Sequence, residues 1–123
     1  MKTHWYIKSV YEEAGPEDGF RVLVDRLWPR GLTKEKVGCH EWAKDLAPST
    51  ALRKWFGHDP QRWEAFQNRY REELHSQPGL AERVAAWAKK ERLTLVYAAR
   101  DRVHNHAWVL LKFLQEVLDQ QKR

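Results

Sequence analysis

The spacing of apolar and polar residues predicts two strands near the start of the chain. Aromatic and β-branched residues from Trp5 to Val10 predict the first, and the apolar run from about Phe20 to Asp25 predicts the second. The connection between them, Glu12 to Gly19, is rich in turn residues and is shorter than the dozen or so residues of a usual parallel crossover. We therefore expect these two strands to be antiparallel or not to be neighbours.

Helical spacing dominates the middle of the chain, after a weaker strand pattern over Val37 to Ala43. Ser49 has the side chain of a helix cap, and the short helix that it starts should end at Gly57. Asp59-Pro60 marks a second helix start. Aromatic and apolar residues then recur at helical intervals, at Trp63, Phe66, Tyr70 and Leu74. This regularity favours a stripe that faces the core over a platform for stacking bases.

The last third of the chain predicts a buried strand followed by a long helix. Gln77 to Gly79 breaks the chain before a third helix that begins at Leu80. Leu93 to Ala98 is almost wholly apolar, which is typical of a strand covered on both faces. A long amphipathic C-terminal helix follows from about Asp101. We predict an α/β fold with one small, mixed, mostly parallel sheet of about four strands flanked by helices.

Length and composition indicate one folded α/β domain over residues 1–123. Of these residues 42% are hydrophobic and 32% are charged. No segment approaches the roughly 18 apolar residues of a membrane span, and Met1 to Lys8 lacks the apolar core of a secretory signal. With Cys39 as the only cysteine, these features predict a cytoplasmic protein without disulfides or a membrane partner.

The formal net charge of +5 favours an anionic partner, either a small molecule or a nucleic acid. A basic surface with no partner is the other interpretation of this charge. A non-catalytic interaction module, with exposed tryptophans as anchors, is a third hypothesis. The oligomeric state does not follow from the sequence.

Two polar loops follow predicted strands and contain most of the candidate chemistry. The first runs from Asp25 to Lys36 and the second from Ala99 to His106. If the two strands are parallel neighbours, both loops emerge at one edge of the sheet, where ligands of α/β proteins bind. Arginines and the start of the last helix would then suit a phosphate or a carboxylate. We assign the ligand contacts to Arg26, Trp28, Arg30, Arg100 and Asn105.

Asp25, His104 and His106 are the candidates for acid–base chemistry, because imidazole titrates near neutrality. Structural roles stand beside these: Asp25 can pair with an arginine, and Asp101 can cap the last helix. On a helix the two histidines would diverge by about 200°. With no third ligand at a matching spacing, we predict no metal site.

Motifs for common cofactor-dependent and hydrolytic enzymes are missing from the sequence. It contains no glycine-rich dinucleotide or phosphate loop and no Gly-x-Ser-x-Gly nucleophile turn. We therefore predict no cofactor. Whether any reaction is catalysed stays open at this point.

Several blocks resemble one bacterial family over nearly the whole chain. The distinctive ones are Val-Asp-Arg-Leu-Trp-Pro-Arg-Gly at residues 24–31 and Ala-Pro-Ser at residues 47–49, together with stretches at residues 42–49, 52–59, 94–99 and 104–107. They are similar to the YeaO-like branch of the family named domain of unknown function 488. The resemblance implies a small cytoplasmic bacterial α/β protein and implies no activity. The wider family often has a Cys-His-Arg cluster before its last helix; the corresponding stretch here, His104 to Ala107, lacks that cysteine and arginine.

Overall fold

Four parallel strands form one sheet in the order β1-β4-β2-β3 in the computed structural model, which describes residues 4–122. The strands are β1 (Trp5–Ser9), β2 (Phe20–Leu23), β3 (Glu41–Trp42) and β4 (Leu93–Tyr97). The predicted α/β fold with about four strands is confirmed, and every described strand pair is parallel. The first two strands are not neighbours, because β4 lies between them.

Five helices accompany the sheet in the described part of the chain. They are α1 (Lys34–Val37), α2 (Thr50–Phe56), α3 (Trp63–His75), α4 (Leu80–Ala88) and α5 (His106–Gln121). The predicted caps of α2 are confirmed: the Ser49 side chain accepts from the amide of Leu52, and Gly57 ends the helix in the left-handed conformation. The Asp59 side chain likewise caps a short 3-10 turn, residues 60–62, that leads into α3.

Two element boundaries differ from the predictions for local reasons. The strand predicted over Val37 to Ala43 is reduced to the two residues of β3, because Thr33 caps α1 and Gly38 ends that helix just before it. Helix α5 begins at His106 rather than near Asp101, because Asn105 is the residue whose side chain accepts from the amide of Trp108. Asp101 instead accepts from the amides of Val103 and His104 and closes a turn.

The sheet is covered on both faces, which explains the apolar run in β4. On one face Val22, Val24 and Leu95 join a large core formed with the helices. The stripe predicted to face the core does so, since Phe66, Tyr70 and Leu74 are buried there. On the second face, Val10, Leu23, Val37 and Val96 form a smaller core. Trp28 and Leu32 pack against it.

The parallel pairing of β2 with β4 sets the position of the two polar loops. Leu23 is in register with Val96, and the amide of Val24 donates to the Val96 carbonyl at 3.0 Å. Both loops therefore leave the sheet at the same edge, as expected. Across residues 4–122, none of the helices has the length and apolar character needed to cross a membrane.

Candidate functional site

A cavity of about 240 Å³ lies where β2 and β4 end; we call it the carboxyl-edge cavity. Asp25, His104 and His106 all line it, so the structure brings the three candidate acid–base residues to one place. Apolar walls come from other segments, including Phe56 at the end of α2 and Phe66 on α3. The cavity thus combines a few polar groups with an apolar lining, as small-molecule sites do.

Asp25 is held rigidly on the inner side of this cavity. Its Oδ2 accepts from the amide of Ala98 at 2.9 Å, and its backbone carbonyl accepts from Trp42 Nε1 at 2.6 Å. Its Oδ1 is buried and lies 3.0 Å from His106 Nε2, yet no described residue donates a hydrogen bond to it. One oxygen of a largely buried carboxylate therefore keeps unused acceptor capacity.

The position of His106 explains why Asp25 Oδ1 receives no hydrogen bond. Its Nε2 is 3.0 Å from the Val24 carbonyl oxygen and also 3.0 Å from Asp25 Oδ1. A carbonyl carries no hydrogen, so the contact with Val24 requires the hydrogen to be on Nε2. This N–H is aligned with the carbonyl. The carboxylate gains electrostatic attraction from the ring but no aligned hydrogen bond.

His104 forms a second acid–imidazole pair at the rim. Its Nδ1 is 3.0 Å from Asp101 Oδ2, and its ring stands edge-on to Trp63 with 5.3 Å between the ring centroids. Hydrogen bonds from the amides of His104 and Val103 lower the pKa of Asp101 to about 2. Asp101 is therefore ionised near neutral pH and orients the imidazole.

Three residues assigned to ligand contact are engaged with the protein itself. Arg26 lines the cavity, but its guanidinium donates to the carbonyls of Pro48 and Ala47 at 3.0 and 3.2 Å. Asn105 also lines it while capping α5 and donating from Nδ2 to the Asp101 carbonyl. Trp28 lies outside the lining.

The loop that contains Trp28 packs away from the cavity, which corrects the expectation that Arg30 and His104 surround one hollow. Trp28 Nε1 donates to the Leu32 carbonyl at 2.8 Å, and its ring packs on the second face of the sheet. The Arg30 carbonyl accepts from the Tyr11 hydroxyl at 3.3 Å. Arg30 and Arg100 are exposed and neither lines the cavity.

Arg53 and His58 line the cavity and were not foreseen from the sequence. Arg53 is exposed on α2, and within residues 4–122 its side chain has no hydrogen bond, ion pair or ring contact. His58 follows the C-cap of α2 and is the one described non-glycine residue with a positive φ, 58°. Such a backbone conformation is uncommon outside glycine and is often found at functional sites. The one sequence signal that could have indicated His58 is its position directly after Gly57, the glycine that ends α2.

Metal and thiol chemistry receive no support from the described residues. Among residues 4–122, no group of three or more His, Cys, Asp or Glu side chains is arranged to hold a metal ion. Cys39 is half-buried on the second face of the sheet, and burial raises the pKa of its thiol. The candidate chemistry is therefore that of carboxylate, imidazole and guanidinium groups.

Comparison with known proteins agrees with the sequence blocks that surround this cavity. Residues 5–123 match the family model described as the inactive DUF488-N3 subclade. The chain belongs to the DUF488 family, in its YeaO-like branch. Uncharacterized protein YeaO of Escherichia coli (strain K12) is 45% identical over 112 residues, 89% of this chain and 96% of that protein.

Two mycobacterial proteins also match over most of their length. Uncharacterized protein Rv3073c of Mycobacterium tuberculosis (strain ATCC 25618 / H37Rv) is 42% identical over 113 residues, which cover 92% of this chain and 95% of that protein. Uncharacterized protein Mb3100c of Mycobacterium bovis has the same identity and coverage. No solved structure matches the chain significantly.

Proposed function

We propose that this protein binds a small molecule bearing a carboxylate or phosphate group in the carboxyl-edge cavity. The observation that carries the proposal is Arg53, an arginine that lines the cavity without a partner among the described residues. A guanidinium is always charged and presents a planar fork of donors that matches both anions. Arg26, by contrast, is occupied by backbone carbonyls.

The electrostatic surroundings support an anion at this place. Asn105 and His106, at the beginning of α5, line the cavity, so the positive end of a 16-residue helix borders it. His58 and His104 add imidazole groups to the same lining. The formal net charge of +5 attracts anions to the protein as a whole.

The size of the cavity favours a compact ligand. Its volume of about 240 Å³ corresponds to roughly eight water molecules in the liquid. Ligand sites for larger molecules begin at about 300 Å³. A complete nucleotide would have to extend out of the mouth, whereas a short carboxylic acid or a small phosphate ester fits inside.

A binding role, rather than catalysis, also agrees with the family. The matching family model is described as an inactive subclade. In this proposal Asp25, His104 and His106 contact and orient the ligand, and their predicted acid–base role is not needed.

Titration calorimetry with inorganic phosphate, short carboxylic acids and small phosphate esters tests the proposal. We expect saturable binding by the unaltered protein and an affinity at least tenfold weaker for Arg53→Ala, since a charged hydrogen bond is lost. Arg30→Ala and Arg100→Ala are matched controls, because these arginines lie outside the cavity lining and should not change the affinity. Absence of binding, or equal losses in all three variants, would overturn the proposal.

The same variants distinguish a small-molecule site from a nucleic-acid surface. A nucleic-acid binder would retain a labelled oligonucleotide with an affinity that falls steeply with salt. Arg30→Ala and Arg100→Ala would then weaken binding as much as Arg53→Ala does. We expect no such uniform loss.

A further inference from the structure

His104 uses one ring nitrogen within the protein and leaves the other accessible. Its Nδ1 lies 3.0 Å from Asp101 Oδ2, whereas Nε2 has no hydrogen-bond partner among residues 4–122. Asp25 Oδ1 is the one buried side-chain polar atom of these residues without a partner, so the unpartnered Nε2 of His104 is not buried. The residue lines the carboxyl-edge cavity, and 35% of its side chain is exposed. A ligand in the cavity can therefore reach this nitrogen.

Asp101 fixes the position of the hydrogen on the neutral imidazole of His104. Hydrogen bonds from the amides of His104 and Val103 lower the pKa of Asp101 to about 2, so its carboxylate is ionised near neutral pH and can only accept. The hydrogen of the neutral ring is therefore on Nδ1 and is directed at Asp101 Oδ2. Nε2 then carries a lone pair and no hydrogen. In this state the ring cannot donate a hydrogen bond to an anion.

Protonation reverses the role of His104 Nε2. Imidazole titrates near neutrality, and a proton added at Nε2 turns this acceptor into a donor that carries positive charge. The hydrogen bond from Nδ1 to Asp101 is kept, so the carboxylate offsets part of the new charge. A hydrogen bond from an imidazolium to an oxyanion is charge-assisted and stronger than a neutral one. An anion in the cavity therefore favours the protonated ring.

Charged and titratable groups from other segments share the lining with His104. They are Asp25 and Arg26 after β2, Arg53 on α2, His58 after α2, and His106 at the start of α5. Trp63 contacts His104 from α3 and does not titrate. The Nε2–H of His106 is aligned with a backbone carbonyl, and the His58 side chain has no hydrogen bond or ion pair with residues 4–122. Among the lining imidazoles, His104 is therefore the one with a hydrogen-bonded carboxylate in the described part of the chain.

We infer that His104 is a second anion-binding group of the cavity, beside Arg53, and that it takes up a proton at Nε2 when the anion binds. Asp101 is a positioning residue, because it acts through the ring. This inference rests on the proposed function and describes how pH regulates the same site. Anion binding should strengthen as the pH falls through the neutral range, because protons are then more available to the ring.

Titration calorimetry of the unaltered protein with phenylpropionate, sulfate and inorganic phosphate, near pH 6, 7 and 8, tests the inference. Repeating each titration in buffers of different ionisation enthalpy counts the protons that are taken up. For phenylpropionate and sulfate, whose charge is constant over this range, we expect roughly half a proton per anion near pH 7. Their affinity should be about fivefold or more higher near pH 6 than near pH 8. Binding without proton uptake overturns the inference and leaves the proposed function intact, whereas both fail if none of the three anions binds.

Two histidine variants identify the group that takes up the proton. His104→Gln removes the titrating ring, so proton uptake should disappear and the affinity should become nearly independent of pH. For inorganic phosphate, which titrates by itself, the difference between the unaltered protein and this variant gives the uptake by the protein. His58→Gln makes the same change on another lining imidazole and should keep both the uptake and the pH dependence. Uptake that persists in His104→Gln, or that is lost in His58→Gln alone, overturns the inference.

Asp101→Asn gives a readout that a merely structural role would not move. The amide oxygen can keep the hydrogen bonds from the amides of Val103 and His104, which turns the NH2 group toward Nδ1 of the ring. Nδ1 must then accept, so the hydrogen moves to Nε2, and the neutral ring can donate to an anion without an added proton. We expect proton uptake well below that of the unaltered protein, with no loss of affinity near pH 8. A variant that is folded by thermal unfolding and takes up as many protons as the unaltered protein overturns the inference.

Discussion

Two clusters of charged side chains on this sheet differ in how completely the protein satisfies them. One, which we call the Asp18 cluster, consists of Lys8, Asp18 and Arg21; the Asp18 carboxylate accepts from both cations and from the Gly15 amide. Arg21 also donates twice to the Val37 carbonyl, at 3.2 and 2.7 Å. At the carboxyl-edge cavity, by contrast, one oxygen of Asp25 has no donor and Arg53 has no acceptor among the described residues.

The contrast separates charges that hold the fold together from charges that remain available. Burial alone raises the pKa of Asp18, but the hydrogen bonds from Gly15, Lys8 and Arg21 outweigh it and lower the pKa below its usual value. Asp18 and Arg21 are only 5% and 3% exposed, so a ligand cannot reach them. A buried charge that the protein satisfies itself is structural, whereas an exposed charge in the cavity lining with no partner among the described residues, such as Arg53, can serve binding.

The largest expected effect is the loss of Arg21. Arg21→Met leaves the buried Asp18 carboxylate with Lys8 and the Gly15 amide as donors and removes both donors to the Val37 carbonyl, so we expect a loss of about 3–5 kcal/mol in the free energy of unfolding. Urea denaturation measures it. Arg102→Ala removes an exposed ion pair with Glu12 and should cost less than about 1 kcal/mol. Similar losses in the two variants would mean that the Asp18 cluster stabilises the fold no more than an exposed ion pair does.

Asp18→Asn should show the pH dependence of the same cluster. Near neutral pH we expect a loss of about 1–3 kcal/mol, because an amide accepts more weakly from the two cations. Since the pKa of Asp18 is lowered in the folded state, its contribution is complete above the unfolded pKa of about 4 and is lost as the pH falls through the folded pKa. The difference in the free energy of unfolding between Asp18→Asn and the unaltered protein should therefore be smaller near pH 3 than near pH 7. A difference that stays constant or grows at acid pH would contradict this dependence on the pKa of Asp18.

Substitution of Asn105 tests how strongly this side chain stabilises the start of α5, which borders the cavity. Asn105→Ala removes the cap of α5 and the hydrogen bond to the Asp101 carbonyl, with an expected loss of about 0.5–2 kcal/mol in unfolding free energy. Asn105→Ser keeps a capping oxygen and should lose less. If both variants are as stable as the unaltered protein, the start of α5 does not depend on this side chain.

The smallest stability effect is expected for Arg53→Ala, on the cavity side of the comparison. Arg53 is exposed and its side chain makes no hydrogen bond, ion pair or ring contact with residues 4–122, so the free energy of unfolding should change by no more than about 0.5 kcal/mol. Thermal and urea unfolding beside Asp18→Asn measure the difference. A loss as large as that of Asp18→Asn would show that Arg53 is a structural residue.

Local chemistry allowed much of the fold to be predicted. Ser49, Gly57 and Asp59 mark helix ends by hydrogen bonds and backbone conformations that involve only nearby residues. The helical stripe and the apolar run of β4 depend on spacing along the chain. Asn105, not Asp101, caps α5, so the start of this helix was predicted a few residues too early. Local signals cannot distinguish the two positions, because both side chains can accept amide hydrogens.

By itself the sequence determined the α/β class, the family and the edge of the sheet where polar groups gather, because periodicity, caps and motifs are properties of neighbouring residues. Only the tertiary structure decided which of these groups share the cavity. Packing of Trp28 on the second face carries Arg30 away, and helix α2 brings in Arg53 from a segment with no motif of its own. Asp25 Oδ1 likewise lacks a hydrogen bond because the Nε2–H of His106 is directed at the Val24 carbonyl instead, about 80 positions away along the chain.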